Sequence, residues 1–358
     1  MIYRRLKLIF ISLIFLSFAI NSFSQSSKFH IYGFFNTELT YGELSDNSKQ
    51  RVWHFDQNFL NVLTNYYISD EFSIATEIEW ENAARIGPNE TIGRLNLAKS
   101  YLEYKPIDNF QLKFGRFLTP FGIYNERHNA TPTFISSRPP QFIYDEHYAA
   151  TTNHEGRLFN KFATGIMLQG NYFHKDWKLR YQLYVTNNRN SSKIANDTTH
   201  SIAYGGRIVL ITPVEGLSLG ASFYRENNTL IYEHHKLAFG MELVYNPGNF
   251  YLEAEYILGD IENMPNGGVL HSGEFEDISS FYIMGAYTFK ERFTPFVRFE
   301  RLISNMENSF GSEQNFIFGL NFAITHSIYL KSEVHLHKIT ESAILDDSRI
   351  IFSLAVAF

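Results

Sequence analysis

The sequence predicts an all-β fold: a membrane-spanning antiparallel up-and-down β-barrel of about 16 strands, with a long third external loop folded into the lumen. Three observations predict it. Apolar and polar residues alternate along most of the chain, short connections alternate with long ones, and aromatic residues reach 16% although mean hydropathy is only −0.20. Strands that face lipid on one side and water on the other produce this combination.

Residues 72–81 show the alternation most clearly. Phenylalanine, isoleucine and tryptophan side chains share one face, while Glu77 and Glu79 share the other with small residues. Residues 177–186 and 350–358 repeat the pattern. A helix would scatter these faces because its period is 3.6 residues and that of a strand is two.

Counting such segments gives sixteen predicted strands. They lie near residues 29–41, 52–68, 72–82, 95–105, 110–117, 161–172, 177–187, 201–212, 217–226, 235–246, 250–260, 277–290, 293–303, 314–325, 328–338 and 348–358. Connections after even-numbered strands are tight turns, whereas those after odd-numbered strands are longer and polar. The longer ones are 42–51, 83–94, 118–160, 188–200, 227–234, 261–276, 304–313 and 339–347. A membrane imposes this alternation, with short turns on the periplasmic side and long loops outside.

The first residues predict export. Three cationic residues precede an apolar run at 8–20, and small residues before Gln25 provide a cleavage site, so residues 1–24 are predicted to be a signal peptide. The run is too short to span about 30 Å of hydrocarbon as a helix. We expect residues 25–358 to form a single outer-membrane β-barrel in contact with outer-membrane lipid. Its formal net charge would be −9, because removal of three cationic residues lowers the value of −6 for the whole chain.

Composition excludes several other classes. The negative charge argues against nucleic-acid binding, which requires a basic face. The chain has no cysteine, so disulfides, thiolate metal sites and a lipoprotein anchor are excluded. Thirteen histidines are present, but no tetrahedral group with a third protein ligand can be identified, and we expect neither a metal nor a cofactor.

Aromatic residues also occupy positions typical of a membrane rim. They flank the tight turns, as Tyr67 and Phe72 do, where amphipathic rings favour the lipid–water interface. Phe358 follows an alternating segment, which resembles the signal that the barrel-assembly machinery reads in bacterial outer-membrane proteins. We therefore expect that machinery to be a partner.

Function is expected to follow from strand number. A closed ring of this size leaves a lumen too wide for wall side chains to fill, so an aqueous channel results. The connection 118–160 has 43 residues, far more than the other connections, and loops of such length usually have a function. We predict that it is a constriction loop folded into the lumen.

Gly115 to Glu126, which reads GRFLTPFGIYNE, is similar to the Gly-x-Phe-x-x-Pro-Phe-Gly stretch of the phosphate-selective porin O and P family. In that family, the resemblance implies, this stretch leads from a strand into the constriction loop of a 16-stranded barrel that assembles as a homotrimer. Gly115 allows close backbone approach, and Pro120 ends strand pairing because it lacks a donor. The resemblance also implies an anion- or phosphate-preferring pore.

The charged residues do not reproduce a basic cluster. Residues 118–160 carry three arginines against four acids. We predict that the pore constriction and its selectivity depend on residues in or beside this loop, namely Arg116, Arg127, Arg138, Arg157 and Glu126. The lumen wall is predicted to carry both signs of charge, from Glu77, Glu79, Lys178, Arg180, Arg207 and Arg298. Charges on opposite walls sort polar solutes.

The sequence thus predicts a non-enzymatic outer-membrane porin, a passive diffusion channel for ions and small hydrophilic solutes. One alternative is a substrate-specific diffusion channel, which would show saturable flux. Another is an outer-membrane hydrolase, since a catalytic triad is recognised by geometry and not by sequence order. No Gly-x-Ser-x-Gly stretch singles out a nucleophile.

Overall fold

The computed structural model describes residues 28–43, 51–81, 94–127, 130–144, 158–187, 202–228, 234–262, 275–304, 312–339 and 348–358. Sixteen β-strands account for most of these residues. The predicted signal peptide at 1–24 lies outside the described residues. Within the described ranges, no helix has the length and apolar character needed to cross a membrane.

The strands agree with the predicted segments to within a few residues. The first eight are β1 Phe29–Glu43, β2 Arg51–Tyr67, β3 Phe72–Glu81, β4 Arg94–Ile107, β5 Phe110–Leu118, β6 Phe162–His174, β7 Trp177–Asn187 and β8 Ile202–Ile211. The second eight are β9 Leu217–Asn228, β10 His234–Tyr245, β11 Phe250–Glu262, β12 Phe275–Tyr287, β13 Phe293–Ser304, β14 Ser312–Ala323, β15 Ile328–Ile339 and β16 Arg349–Ala357.

The strands form one closed antiparallel ring. Each pairs with its sequence neighbours, and β16 pairs with β1 from Phe34↔Ala357 to Tyr41↔Ile350. Beyond that ladder, the Gly33 N–H donates to the Phe358 carbonyl at 2.8 Å and the Phe358 N–H donates back at 2.9 Å. Closure leaves no unpaired edge, which is the condition for a sheet to span lipid. The predicted closed antiparallel barrel of 16 strands is confirmed.

Tight connections join the strands where the sequence predicts them. Only two residues separate β4 from β5, and two separate β6 from β7. The described part of the connection from β5 to β6 contains two short 3-10 turns, Asn125–Arg127 and Thr131–Thr133, and one helical turn, Gln141–Tyr144. Gly115 has φ +131°, and a Cβ there would collide with the carbonyl oxygen of Ser100. The predicted close backbone approach is therefore present.

The two faces of the ring differ sharply in chemistry. On β15, Leu330 and Leu336 are 44% and 47% exposed, whereas Lys331 and His335 between them are 2% and 1% exposed. Large apolar residues of the other strands also alternate with buried polar ones. The outward face is thus an apolar band suited to lipid, and the inward face carries the polar residues.

The interior also holds a hydrophobic cluster, which the composition did not predict. Phe121, Tyr124 and Phe159, all from the connection between β5 and β6, pack with inward residues such as Tyr282 and Ile317. The rings of Phe121 and Phe159 stack with centroids 4.2 Å apart. Part of the lumen is therefore filled by a packed hydrophobic core, to which the connection contributes.

Candidate functional site

The connection between β5 and β6 is bound to the inward side chains of distant strands. Its described residues, 119–127, 130–144 and 158–161, make hydrogen bonds with β1, β7, β8, β9, β11, β13, β14 and β15. Those strands extend around much of the ring, and the contacted side chains all lie on its inward face. A segment can reach all of them only from inside the ring. We call the hydrogen-bonded contacts between this segment and the wall the clamps.

The first clamp is formed by Glu126 and Arg207. The Arg207 Nη1 lies 3.0 Å from the Glu126 Oε2, and its Nη2 lies 2.6 Å from the Glu242 Oε1. The amide of Gln182 also donates to Glu126 at 2.7 Å. Arg207 thus bridges a carboxylate of the connection and a carboxylate of the wall, and the group carries more negative than positive charge.

The second clamp uses carboxylates of β11. The N–H of Ile123 and the hydroxyl of Tyr144 both donate to Glu255 at 2.8 Å. The hydroxyl of Tyr124 donates to Glu253. Burial, reinforced by these carboxylates, raises the pKa of Tyr124 and Tyr144 well above the ordinary value for tyrosine. Both phenols therefore keep their protons and act as donors at physiological pH.

The third clamp is formed by Arg298 and Glu300 on β13. The Arg298 Nε lies 2.7 Å from the Glu300 Oε1, and its Nη1 donates to the Ser136 hydroxyl at 2.7 Å and the Arg138 carbonyl at 2.9 Å. Glu300 accepts the N–H of Gln141 at 2.8 Å. This ion pair is completely buried and satisfies backbone groups of the connection, as buried charges require.

The fourth clamp is a cradle for an ammonium group. The Lys331 Nζ donates to three carbonyl oxygens of the connection, those of Thr131, Phe134 and Ser136, at 2.6, 2.8 and 2.9 Å. Two residues along β15, Glu333 accepts the N–H of Ser137. Lys331 and Glu333, two inward residues of β15, thus bind carbonyl oxygens and an N–H group of residues 131–137.

The fifth clamp joins the connection to β1. The Nε and Nη2 of Arg138 lie 2.8 and 2.7 Å from the Glu38 Oε2, and both side chains are buried. Arg138 was predicted to help set selectivity. The structure gives its charge a partner inside the packed interior, where a charge without one would be costly.

The other predicted constriction residues lie in different places. The guanidinium of Arg127 lies 5.6 Å from the ring centroid of Tyr124. Arg116 is on the outward face of β5, because it alternates with Gly115 and Phe117, which face inward. Its Nε donates to the Leu97 carbonyl, and its guanidinium lies 4.7 Å from the Phe162 centroid. Arg157 lies outside the described residues, so its predicted role stays a prediction.

All six predicted wall residues lie on the inward face. Glu77 binds the ammonium of Lys99 at 2.6 Å and the amide of Asn61 at 2.7 Å, while Glu79, two residues further along the strand, is completely buried. On β7, Arg180 is exposed and Lys178 is half-buried. Arg207 and Arg298 face inward too, but both belong to the clamps.

Several residues that bind the connection were missed by sequence reasoning. Glu38, Glu300 and Glu333 are buried carboxylates that bind the connection, and none was selected. A signal for them exists, because each is a charged residue at the polar position of an alternating strand. Nothing in the local sequence, however, distinguishes such a residue from a hydrated lumen residue. In the part of the chain that the structure describes, no group of three or more potential ligands could hold a metal ion.

Comparisons with known proteins identify the fold. No family profile matches the chain, and no curated protein matches its sequence. Among solved structures, the chain is similar to the OmpF of Salmonella typhi in complex with daunomycin, with a TM-score of 0.64 at 12% identity over 92% of this chain and 97% of that one. It is also similar to an anion-selective porin from Comamonas acidovorans, with a TM-score of 0.63 at 11% identity over 92% and 99%.

A third similar structure is the outer membrane channel DcaP of Acinetobacter baumannii. Its TM-score is 0.60 at 14% identity, over 92% of this chain and 97% of that chain. The fold is therefore that of the bacterial outer-membrane porins, along nearly the whole length of each chain. The particular resemblance to the phosphate-selective porin O and P family stays a prediction.

Proposed function

We propose that this protein is an outer-membrane porin, a passive diffusion channel for ions and small hydrophilic solutes whose passage runs beside the clamped connection. The observation that carries this proposal is a closed ring of sixteen strands with an apolar outer face and a segment bound inside it. A ring of this size encloses more space than its wall side chains fill. The similarity to porin folds supports the same function.

The passage would lie along β2–β7, opposite most of the clamps. Most inward residues of β9–β16 are buried. In contrast, Lys113, Gln169 and Arg180 on the inner face of β5–β7 are only partly covered. We call the inner face of β9–β16 and β1 the clamped wall, and that of β2–β7 the open wall. Solutes would move along the open wall.

We also propose an anion preference that depends on fewer residues than the sequence predicts. Arg138, Arg207 and Arg298 bind carboxylates within 3.0 Å, so their fields are largely cancelled. Lys178 and Arg180 on the open wall, together with Arg127, remain to attract anions. This arrangement differs from a basic cluster, and it favours anions in general over a dedicated phosphate site.

A single-channel recording tests both proposals. Purified full-length protein in a planar bilayer should give discrete current steps, and the reversal potential in a potassium chloride gradient should have the sign of chloride preference. Potassium preference would contradict the anion proposal while leaving the channel intact. The absence of any current, combined with cleavage of an ester substrate, would favour the hydrolase alternative and overturn the channel.

The assembly and location follow from the same proposal. A porin would be exported with cleavage near Ser24 and Gln25, inserted through recognition of Phe358 by the barrel-assembly machinery, and assembled as a homotrimer. Mass spectrometry of the mature N-terminus tests the cleavage. Migration of unheated protein in detergent gels, which separates trimers from monomers, tests the assembly.

A further inference from the structure

A recess opens between β1 and the open wall, at the end of the barrel where the tight turns lie. It has a volume of about 110 Å³ and is lined by residues of β1–β4. Three tyrosines contribute to it: Tyr32, Tyr67 and Tyr101. Tyr32 and Tyr67 are each 43% exposed, so part of each ring is accessible from the lumen. The recess therefore offers aromatic surface to a solute in transit.

The remaining lining groups are polar and varied. Asn65 contributes an amide that donates to the Tyr32 hydroxyl at 3.2 Å, and Glu103 contributes a carboxylate that accepts from the amide of Gln169 at 3.4 Å. Glu77 and Lys99 form an ion pair of 2.6 Å at the inner end of the recess. Phenols, amides and carboxylates together provide both donors and acceptors for hydroxyl groups.

The charges of the recess are balanced locally. The ammonium of Lys99 is bound by Glu77, and that of Lys113, opposite Glu103 in the register, lies 4.8 Å from the centroid of the Tyr101 ring. An incoming anion would meet two carboxylates as well as two cations. A neutral ligand with many hydroxyl groups would form hydrogen bonds without disturbing either pair, and its C–H face would pack on a tyrosine ring.

The size of the recess suits one side of a small ring. Its volume of about 110 Å³ is several times the space that one water needs. Such a recess holds the edge of a pyranose while the rest of the sugar stays in the lumen. Partial enclosure is compatible with transport, because a solute in a channel must bind weakly enough to leave.

We propose that this recess is a binding subsite for neutral saccharides, which would make the protein a channel that favours small sugars. The inference rests on the proposed channel. It names neutral saccharides as the substrate class of the substrate-specific alternative. Tyr67 would stack on the sugar ring, and Glu103 would accept hydrogen bonds from the sugar hydroxyl groups. The passage would then be used by two classes of solute, with anions attracted by Lys178 and Arg180 and sugars retained at the recess.

Glucose binding to detergent-solubilised full-length protein tests the subsite directly, by saturation-transfer NMR with glucose alone as the probe. We expect saturable binding in the millimolar range for the wild type, and at least fivefold weaker binding for Tyr67→Ala and Glu103→Gln. Matched controls are Tyr172→Ala, a tyrosine on the outward face, and Glu215→Gln, a glutamate in an exposed turn; both should bind glucose like the wild type.

Liposome flux distinguishes the two proposals. Glucose flux in the wild type should saturate, with a half-saturating concentration that rises at least fivefold in Tyr67→Ala and Glu103→Gln. Flux that is linear in glucose, equal binding in all variants, or displacement of glucose by inorganic phosphate would overturn the subsite. Saturable binding without any ion current would support the subsite while contradicting the channel.

Discussion

The clamped wall and the open wall have the same covalent architecture but different environments. Both alternate charged and apolar residues with period two, and both pair antiparallel with their neighbours. On the clamped wall, Arg298, Glu300 and Glu333 are at most 2% exposed, whereas Arg180 on the open wall is exposed. At these residues the difference comes from the connection between β5 and β6, which makes hydrogen bonds with Arg298, Glu300 and Glu333. Whether an inward charge stabilises the fold or faces the lumen therefore depends on whether the connection binds it.

The largest expected effect separates Arg138 from Arg180. Replacement of Arg138 by alanine removes the guanidinium that lies 2.7 Å from the buried Glu38 carboxylate, so we expect a loss of about 3–5 kcal/mol in the free energy of unfolding. The connection should also detach from β1, which raises single-channel conductance. Arg180→Ala, the matched change on the open wall, should cost less than about 0.5 kcal/mol, since exposed sites tolerate substitution.

Urea unfolding in detergent or lipid vesicles measures this difference. A double variant, Glu38→Gln with Arg138→Ala, should recover part of the loss, because it removes the uncompensated charge together with its partner. Equal stability of Arg138→Ala and Arg180→Ala would show that the clamp does not contribute to the fold and would remove the distinction between the two walls.

Sequence reasoning could predict the barrel because its pattern is local. Alternation with period two fixes both the strands and their faces, and the tight turns fix the order in which the strands pair. The same rule could have placed Arg116 correctly. On β5 it shares a face with Phe114 and Leu118, both apolar, so the pattern itself assigns it outward.

The clamps could not be predicted in this way because they join residues far apart in the sequence. Arg138 binds Glu38 one hundred residues away, and Lys331 binds carbonyls about two hundred residues away. The carbonyls of Thr131 and Phe134 carry no side-chain signature at all. Which inward charges meet the connection depends on the path of the connection across the lumen, and that path is a property of the folded state.

A smaller effect on stability is expected at two glycines, one in the clamped connection and one in a tight turn. Gly122 in the connection and Gly248 in a tight turn have φ of +64° and +61°. A Cβ on Gly122 would collide with the Tyr144 hydroxyl and Glu255, whereas nothing lies within 4 Å of one on Gly248. Backbone strain is thus the same for alanine at both sites, about 1 kcal/mol, and the collision is added only at Gly122.

We expect Gly122→Ala to lose about 2–3 kcal/mol of stability and Gly248→Ala about 1 kcal/mol. Only the former should disturb the second clamp and raise the conductance. Thermal unfolding and single-channel recording of the two variants measure both quantities. If Gly122→Ala kept the wild-type conductance, the connection would not limit the passage at this clamp.

The smallest effect on stability, and the most specific for function, is expected on the open wall. Replacement of Lys178 and Arg180 by glutamine removes two inward cations while leaving shorter polar side chains. Because neither makes an ion pair with a described residue closer than 4.0 Å, the free energy of unfolding should change by less than about 0.5 kcal/mol. The reversal potential in a potassium chloride gradient should shift toward the value expected for potassium preference.

Arg207→Gln is the control variant. It should instead lose stability, since Arg207 holds Glu126 and Glu242 together. If Arg207→Gln shifted selectivity and the open-wall double variant did not, ions would pass beside Arg207 on β8 and not along the open wall.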